Sequence, residues 1–298
     1  MIAILLVTLV VILTGYNLTT RKLMYRHDAS LPRDPDTGVI LGAEPRTLGP
    51  EDADTAIIFV HGFVGSGNNF WEIPDRLSEE GYRVRVMLNK GHGTTPQDFH
   101  DTPRDDFLPH VLDEIHELQK HHEKIILAGH SMGGTLITLA AAQEDIDGLI
   151  LGAPYFGVTY QWYYLLPVAT WNKLTGRILH RVYKARAFVR VNRKEAKDQI
   201  FSYSWIPSGG TTTLMYLGEQ ASKPEILDNI TAPILHFHAP DDYAADYQKA
   251  VDAVEKMASK NKTHIPLENS DHHIYWDNDR EQLYAEILKF LDTLQEEK

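Results

Sequence analysis

Apolar positions fall into short, separated runs. Thr55–Val60, Tyr82–Met87, Lys124–Ala128, Gly148–Gly152, Pro233–His238 and Thr263–Leu267 each have strand length and are bounded by polar or glycine-containing segments. Runs of this size predict strands of a buried sheet. Longer stretches between them, such as Phe107–His121 and Glu281–Leu294, read as helices. Strands alternating with helices predict an α/β domain with a mostly parallel sheet and helices on both faces. The longest stretch without a strand signal is 155–208, which leaves at Gly152-Ala153-Pro154 and returns through Ser208-Gly209-Gly210. It is expected to be an inserted helical lid over the carboxyl edge of the sheet, where open α/β sheets bind ligands.

The first residues follow another pattern. Met1–Leu13 carries no charge, and the apolar character lasts to about Leu18. A full membrane span needs about 20 residues. A cleaved signal peptide would place basic residues before the apolar run and small residues at a cleavage site; Thr14-Gly15-Tyr16 does not fit that site. The expected organisation is a transmembrane anchor at 1–18, a polar linker at 19–37 containing Pro32 and Pro35, and one domain at 38–298. Arg21, Lys22 and Arg26 all follow the apolar run. The positive-inside rule then places the domain in the cytoplasm of a single-pass cell-membrane protein.

Composition narrows the partners. Hydrophobic residues make up 43% and charged residues 23% of 298, as in ordinary globular proteins. A net charge of −12 excludes a nucleic-acid binder working through the whole chain. The absence of cysteine removes disulfides, thiolate metal sites and a cysteine nucleophile. No metal and no cofactor is expected; His236 and His238 read as strand residues, which leaves little for a metal site with His272 and His273. The charge is uneven. Between Tyr155 and Gly210, nine bases against two acids give +7, leaving −19 for the rest. On a helical wheel Leu174, Ile178, Val182, Ala185 and Val189 form a stripe flanked by Lys and Arg, a pattern suited to a helix lying on an anionic lipid surface.

The chemistry gathers at strand ends. Gly129-His130-Ser131-Met132-Gly133 is a G-x-S-x-G turn between an apolar run and a helical segment. Such a turn lifts a serine hydroxyl above the sheet edge and needs small residues on both sides. A serine nucleophile needs a base, and the base an orienting acid. In this architecture the chain order is serine, acid, histidine. Asp241-Asp242 follows Pro233–His238, and Ser270-Asp271-His272-His273 follows Thr263–Leu267. For a developing oxyanion, the N–H of Met132 and the N–H of Phe63, in the loop after Thr55–Val60, are the candidate donors.

Together these residues resemble the α/β-hydrolase superfamily, and within it the carboxylesterase, monoacylglycerol lipase and serine-aminopeptidase-like group. The matching pieces are His61-Gly62-Phe63, Gly91-His92-Gly93, Gly129-His130-Ser131-Met132-Gly133-Gly134, Asp242, and Ser270-Asp271-His272 with Asp277, over about residues 55–295. The resemblance implies Ser131 as nucleophile, Asp242 as orienting acid and His272 as base. Ala239 and Asp271 stand where the family often has glycine, so Asp241 and His273 are the alternatives. A serine at the elbow argues against dehalogenase or epoxide-hydrolase chemistry, which uses a carboxylate nucleophile. Acyl transfer from a carboxylic ester, with a small-molecule or lipid ester as substrate, is the expected reaction; thioesterase activity and a silent binding module are the alternatives. An aminopeptidase would bind a substrate ammonium, which a lid of +7 repels. Tyr155, Phe156, Trp162 and Tyr163 open the lid and are expected to form an apolar acyl pocket, or to pack the lid on the core.

Overall fold

Five of the six apolar runs become the interior strands of a seven-stranded sheet, and the sixth, Thr263–Leu267, lies at its edge. The computed structural model describes residues 1–160, 165–184, 186 and 189–296. The strands are β1 (Arg46–Leu48), β2 (Thr55–Val60), β3 (Arg83–Val86), β4 (Lys124–His130), β5 (Gly148–Gly152), β6 (Arg181–Tyr183), β7 (Trp205–Pro207), β8 (Ile234–His238) and β9 (Lys262–Pro266). The helices are α1 (Ile2–Asp28), α2 (Ile73–Glu79), α3 (Pro96–Asp101), α4 (Phe107–Gln119), α5 (Met132–Ala141), α6 (Val168–Thr175), α7 (Ser208–Ala221), α8 (Pro224–Leu227), α9 (Tyr247–Lys256) and α10 (Arg280–Glu296).

The main sheet has the order β1-β3-β2-β4-β5-β8-β9, with β1 antiparallel and the other pairs parallel. Successive side chains of a strand point to opposite faces. Ile58, Val60, Leu127, Leu149 and Leu151 accordingly join one core cluster with residues of α4, α5, α7 and α9. Ile57, Phe59, Ile126, Ala128, Ile150 and Phe237 join the other with residues of α2 and α10. Burial on both faces explains why these strands read as continuous apolar runs. Gly133 marks how tightly α5 lies on β2: a Cβ there would come 1.7 Å from the Val60 carbonyl oxygen.

Two expectations differ from the structure. The lid is not mainly helical among its described residues: α6 ends at Thr175, and β6 pairs antiparallel with β7. The wheel over 174–189 fails because other groups take the backbone bonds a helix would use. Asn17 Nδ2 donates to the Ile178 carbonyl, the His180 N–H donates to Asn17 Oδ1, and the Tyr16 hydroxyl donates to the Arg181 carbonyl. Leu174, Ile178 and Val182 stay exposed while Val189 is buried, and Ala185 lies outside the described residues. At the N-terminus, residues 19–28, read as linker, continue α1, whose Thr20, Met24 and Asp28 are buried.

Candidate active site

Parallel strands bring their carboxyl ends to one edge, and the chemistry lies there. Ser131 follows β4, Asp242 follows β8 and His272 follows β9. The loop His61–Gly62–Phe63 follows β2, the neighbour of β4. Ser131 sits at φ 54 and ψ −118, a left-handed conformation unusual for a residue with a side chain. Such strain costs about 1–3 kcal/mol and persists only where surroundings fix it. Here the Ser131 N–H donates to the Gly152 carbonyl at 3.0 Å, and its carbonyl accepts from the N–H groups of Thr135 and Tyr155, each at 3.1 Å.

Ser131 Oγ lies 3.0 Å from His272 Nε2, and His272 Nδ1 lies 2.8 Å from Asp242 Oδ2. The carboxylate can only accept, so Nδ1 carries the proton and Nε2 is free to accept the serine proton. Asp242 Oδ1 accepts from the N–H groups of Ala244 at 2.7 Å and Ala245 at 2.9 Å. Burial opposes its charge, but the attraction of His272 and the hydrogen bonds from His238 and His272 outweigh burial and hold the carboxyl well below its usual range. Asp241 is exposed, and the bonds to His272 come from Asp242. His273 is buried beside the relay, its backbone N–H donating to the Arg190 carbonyl.

The donor loop is held from behind. The Asn89 N–H donates to His61 Nε2 at 3.0 Å, so the His61 proton is on Nδ1, which donates to the Gly62 carbonyl at 2.9 Å. In a trans peptide the C=O and N–H point in opposite directions. That bond therefore turns the Phe63 N–H away from His61. A Cβ on Gly62 would lie 3.1 Å from the Ser131 Cβ, which shows how closely this loop approaches the serine. Met132 opens α5, where a first-turn N–H has no partner within the helix.

A cavity of 380 Å³ opens over Ser131 and His272, with Phe63, Tyr155, Val158, Val168, Val182, Ile206 and Leu214 in its wall. Its size falls in the range of small-molecule sites. Lid and α7 residues thus supply much of the wall. Lys184 and Arg190 also line it, and among the described lining residues there is no carboxylate. Of the four aromatic residues expected to form the pocket, Tyr155 is in the wall and Phe156 is in the core cluster. Trp162 and Tyr163 lie outside the described residues.

Two residues that sequence reading passed over belong to this site. His238, read only as a strand residue, is fully buried, and its Nε2 lies 3.1 Å from Asp242 Oδ2 and 3.2 Å from the Ala245 carbonyl. Both neighbours are acceptors, so Nε2 carries a proton and donates. A histidine four residues before a candidate acid, on an otherwise apolar strand, was the available signal. Asp277, quoted only as part of the resemblance, accepts from the N–H groups of Asn192 at 2.8 Å, Arg193 at 2.9 Å and Asp271 at 2.8 Å. It ties the end of the lid to the histidine loop. His236 faces His264, with their Nδ1 atoms 3.0 Å apart, rather than His272.

The sequence model of the family Hydrolase_4, described as serine aminopeptidase S33, matches residues 51–279. The chain is 26% identical to a thermostable monoacylglycerol lipase of Bacillus sp. (strain H-257) over 253 residues, 85% of this chain and 95% of the relative. It is 21% identical to a carboxylesterase of Bacillus subtilis (strain 168) over 252 residues, 84% of this chain and 97% of the relative. A solved structure from LipS and LipT, two metagenome-derived lipolytic enzymes, superposes with a TM-score of 0.77 at 22% identity, covering 86% of this chain and 99% of that one. That likeness supports the α/β-hydrolase fold.

Proposed function

Because the chain belongs to the Hydrolase_4, serine aminopeptidase S33 family, we propose that it is a membrane-anchored serine ester hydrolase that cleaves lipid-derived carboxylic esters through an acyl-enzyme. The observation that carries this reading is the unbroken chain of hydrogen bonds from Ser131 through His272 to Asp242, beneath a largely apolar cavity.

The proposed steps use this geometry. Ser131 Oγ attacks the ester carbonyl carbon as its proton passes to His272 Nε2. The carbonyl oxygen becomes an oxyanion held by the N–H groups of Met132 and Phe63, donors worth a few kcal/mol each. Asp242 stabilises the imidazolium. Collapse breaks the ester C–O bond, and the departing alcohol takes the proton from His272. A water molecule, deprotonated by His272, then attacks the acyl carbon; the acyl C–Oγ bond breaks, His272 returns the proton to Ser131 Oγ, and the carboxylic acid leaves. Lys184, Arg190 and the lack of a carboxylate among the described wall residues disfavour an ammonium-bearing peptide substrate.

Anchoring rests on α1. Its apolar half is long enough for a span and is not buried against the domain. The basic residues after the apolar stretch support a cytoplasmic domain. Exposed Ile178 and Val182, beside the backbone that Tyr16 and Asn17 bond, suit a lid face resting on lipid.

Ser131→Ala and His272→Ala are each expected to lower kcat on a p-nitrophenyl ester by a factor of about 1,000 or more, since such residues act as a unit. Fluorophosphonate labelling should vanish in the serine variant. Activity above a tenth of the parent's would sink the assignment. A profile across p-nitrophenyl esters and monoacylglycerols tests the substrate class. Carbonate-resistant, detergent-released membrane binding tests the anchor.

A further inference from the structure

Between α1 and the lid lies a second cavity, a polar groove of 580 Å³ outside the catalytic chamber. Asn17, Arg21 and Tyr25 line it from the anchor, His180 and Arg181 from the lid, and His100 from α3. Arg181 is 6% exposed, and its Nη1 donates to the Asn17 carbonyl at 3.0 Å. Burial and the nearby Arg21 guanidinium both weaken its hold on its proton, the mark of two cations sharing one groove. His100 Nδ1 accepts from the Gly209 N–H, so a neutral His100 carries its proton on Nε2 as a further donor. Among the described lining residues Asp101 is the one carboxylate, and both its oxygens already accept from Gln97 Nε2. Two arginines against one aspartate leave the groove one positive charge in excess.

On the anchoring proposed above, its height relative to a bilayer follows from α1. The apolar stretch ends at about Leu18 and the first charges after it are Arg21 and Lys22, so Asn17 and the lid backbone bonded to it stand at the level of the headgroups. We propose that this groove binds the phosphodiester headgroup of an anionic phospholipid, clamped between Arg21 and Arg181. One such headgroup neutralises the excess charge and joins anchor to lid. The inference rests on the anchoring proposed above and concerns a ligand that is not hydrolysed.

The test uses the full chain in detergent micelles and native mass spectrometry, with dihexanoyl phosphatidylglycerol, dihexanoyl phosphatidylcholine and inorganic phosphate as separate probes. Retention of one phosphatidylglycerol, tighter than of phosphatidylcholine, is expected. Arg21→Gln and Arg181→Gln should each weaken it about fivefold. Arg21 lies on an exposed helix face, so its variant reports even if Arg181→Gln misfolds. Equal retention by parent and Arg21→Gln, or equal retention of both lipids, overturns the proposal. Inorganic phosphate competing at the same concentration as the lipid overturns the lipid assignment. Carbonate extraction of the parent reads anchoring separately. A chain that stays in the membrane but shows no lipid preference removes the groove site alone, and a chain that washes off removes the anchor.

Discussion

Asp242 accepts from four donors: two backbone N–H groups on Oδ1, and His238 and His272 on Oδ2. Every neighbour presents a proton, so the site is built for a charge. Asp242→Asn would turn an amide toward His238 and His272, donor against donor, and favour the wrong tautomer of His272. A loss in kcat of about 10³- to 10⁴-fold is expected, against little change for exposed Asp241→Asn. In the mechanism proposed, His238 would act through Asp242, as a positioning residue. A hydrogen bond to a charged group is worth about 1.5–3 kcal/mol, so His238→Phe should lower kcat at least about tenfold with KM little changed. His238→Gln, which can still donate, should recover most of it; equal loss in both variants would mark a packing role only. The serine, its glycines and the order of the acid and base are visible in sequence, because the elbow needs particular residues at particular spacings. The choice between Asp241 and Asp242 is not visible from spacing: it depends on which side chain the loop turns inward.

At the scale of elements, β2, β4, β5 and β8 are legible to within about two residues because burial on both faces leaves each as an apolar run, whereas β9 is a mostly exposed edge strand, legible from its β-branched Thr263 and Ile265. The lid is not. Its 3.6-residue periodicity over 174–189 is genuine, but Tyr16 and Asn17, more than 160 positions away, capture the backbone of Ile178, His180 and Arg181. Local pattern yields to tertiary hydrogen bonds that no window can contain. The same joint separates two truncations. Removing residues 2–13 leaves Tyr16, Asn17 and Met24 in place and should give a soluble chain with unchanged stability. Removing residues 1–26 also takes away Met24, which is 1% exposed. Loss of such a buried side chain costs about 3 kcal/mol, which a shifted urea midpoint would register. Identical midpoints would mean that the polar half of α1 is not part of the folded domain.

The whole molecule carries an acid liability. His92 is pushed down to about 4 and His130 to about 3, chiefly by burial, and burial also holds His61, His236 and His273 well below the usual range. Below pH 6.5 the unfolded chain takes up protons at these positions and the folded chain does not. Stability therefore falls as pH drops, by up to about 1.4 kcal/mol per pH unit for each histidine. Asp242, whose folded pKa lies below its unfolded value, keeps its contribution until the pH is below about 4. The melting temperature should fall steeply between pH 6.5 and 5, with only small change from pH 7 to 8. A flat profile between pH 7 and 5 would show that the buried histidines are protonated in the folded state.

The bonds between α1 and β6 also decide what concentration means for this enzyme. Were α1 to anchor the chain as proposed, the lid would ride at the lipid surface and the catalytic domain would be confined to two dimensions. An ester dissolved in that lipid is then met at its mole fraction in the bilayer, not its molarity in bulk. Adding inert lipid at fixed total ester should slow turnover by surface dilution, whereas adding buffer at a fixed lipid composition should leave the rate per enzyme unchanged. A chain lacking residues 2–13 should show the reverse, losing rate on dilution with buffer as it partitions off the surface. Turnover assays in vesicles across both dilutions would distinguish the two regimes.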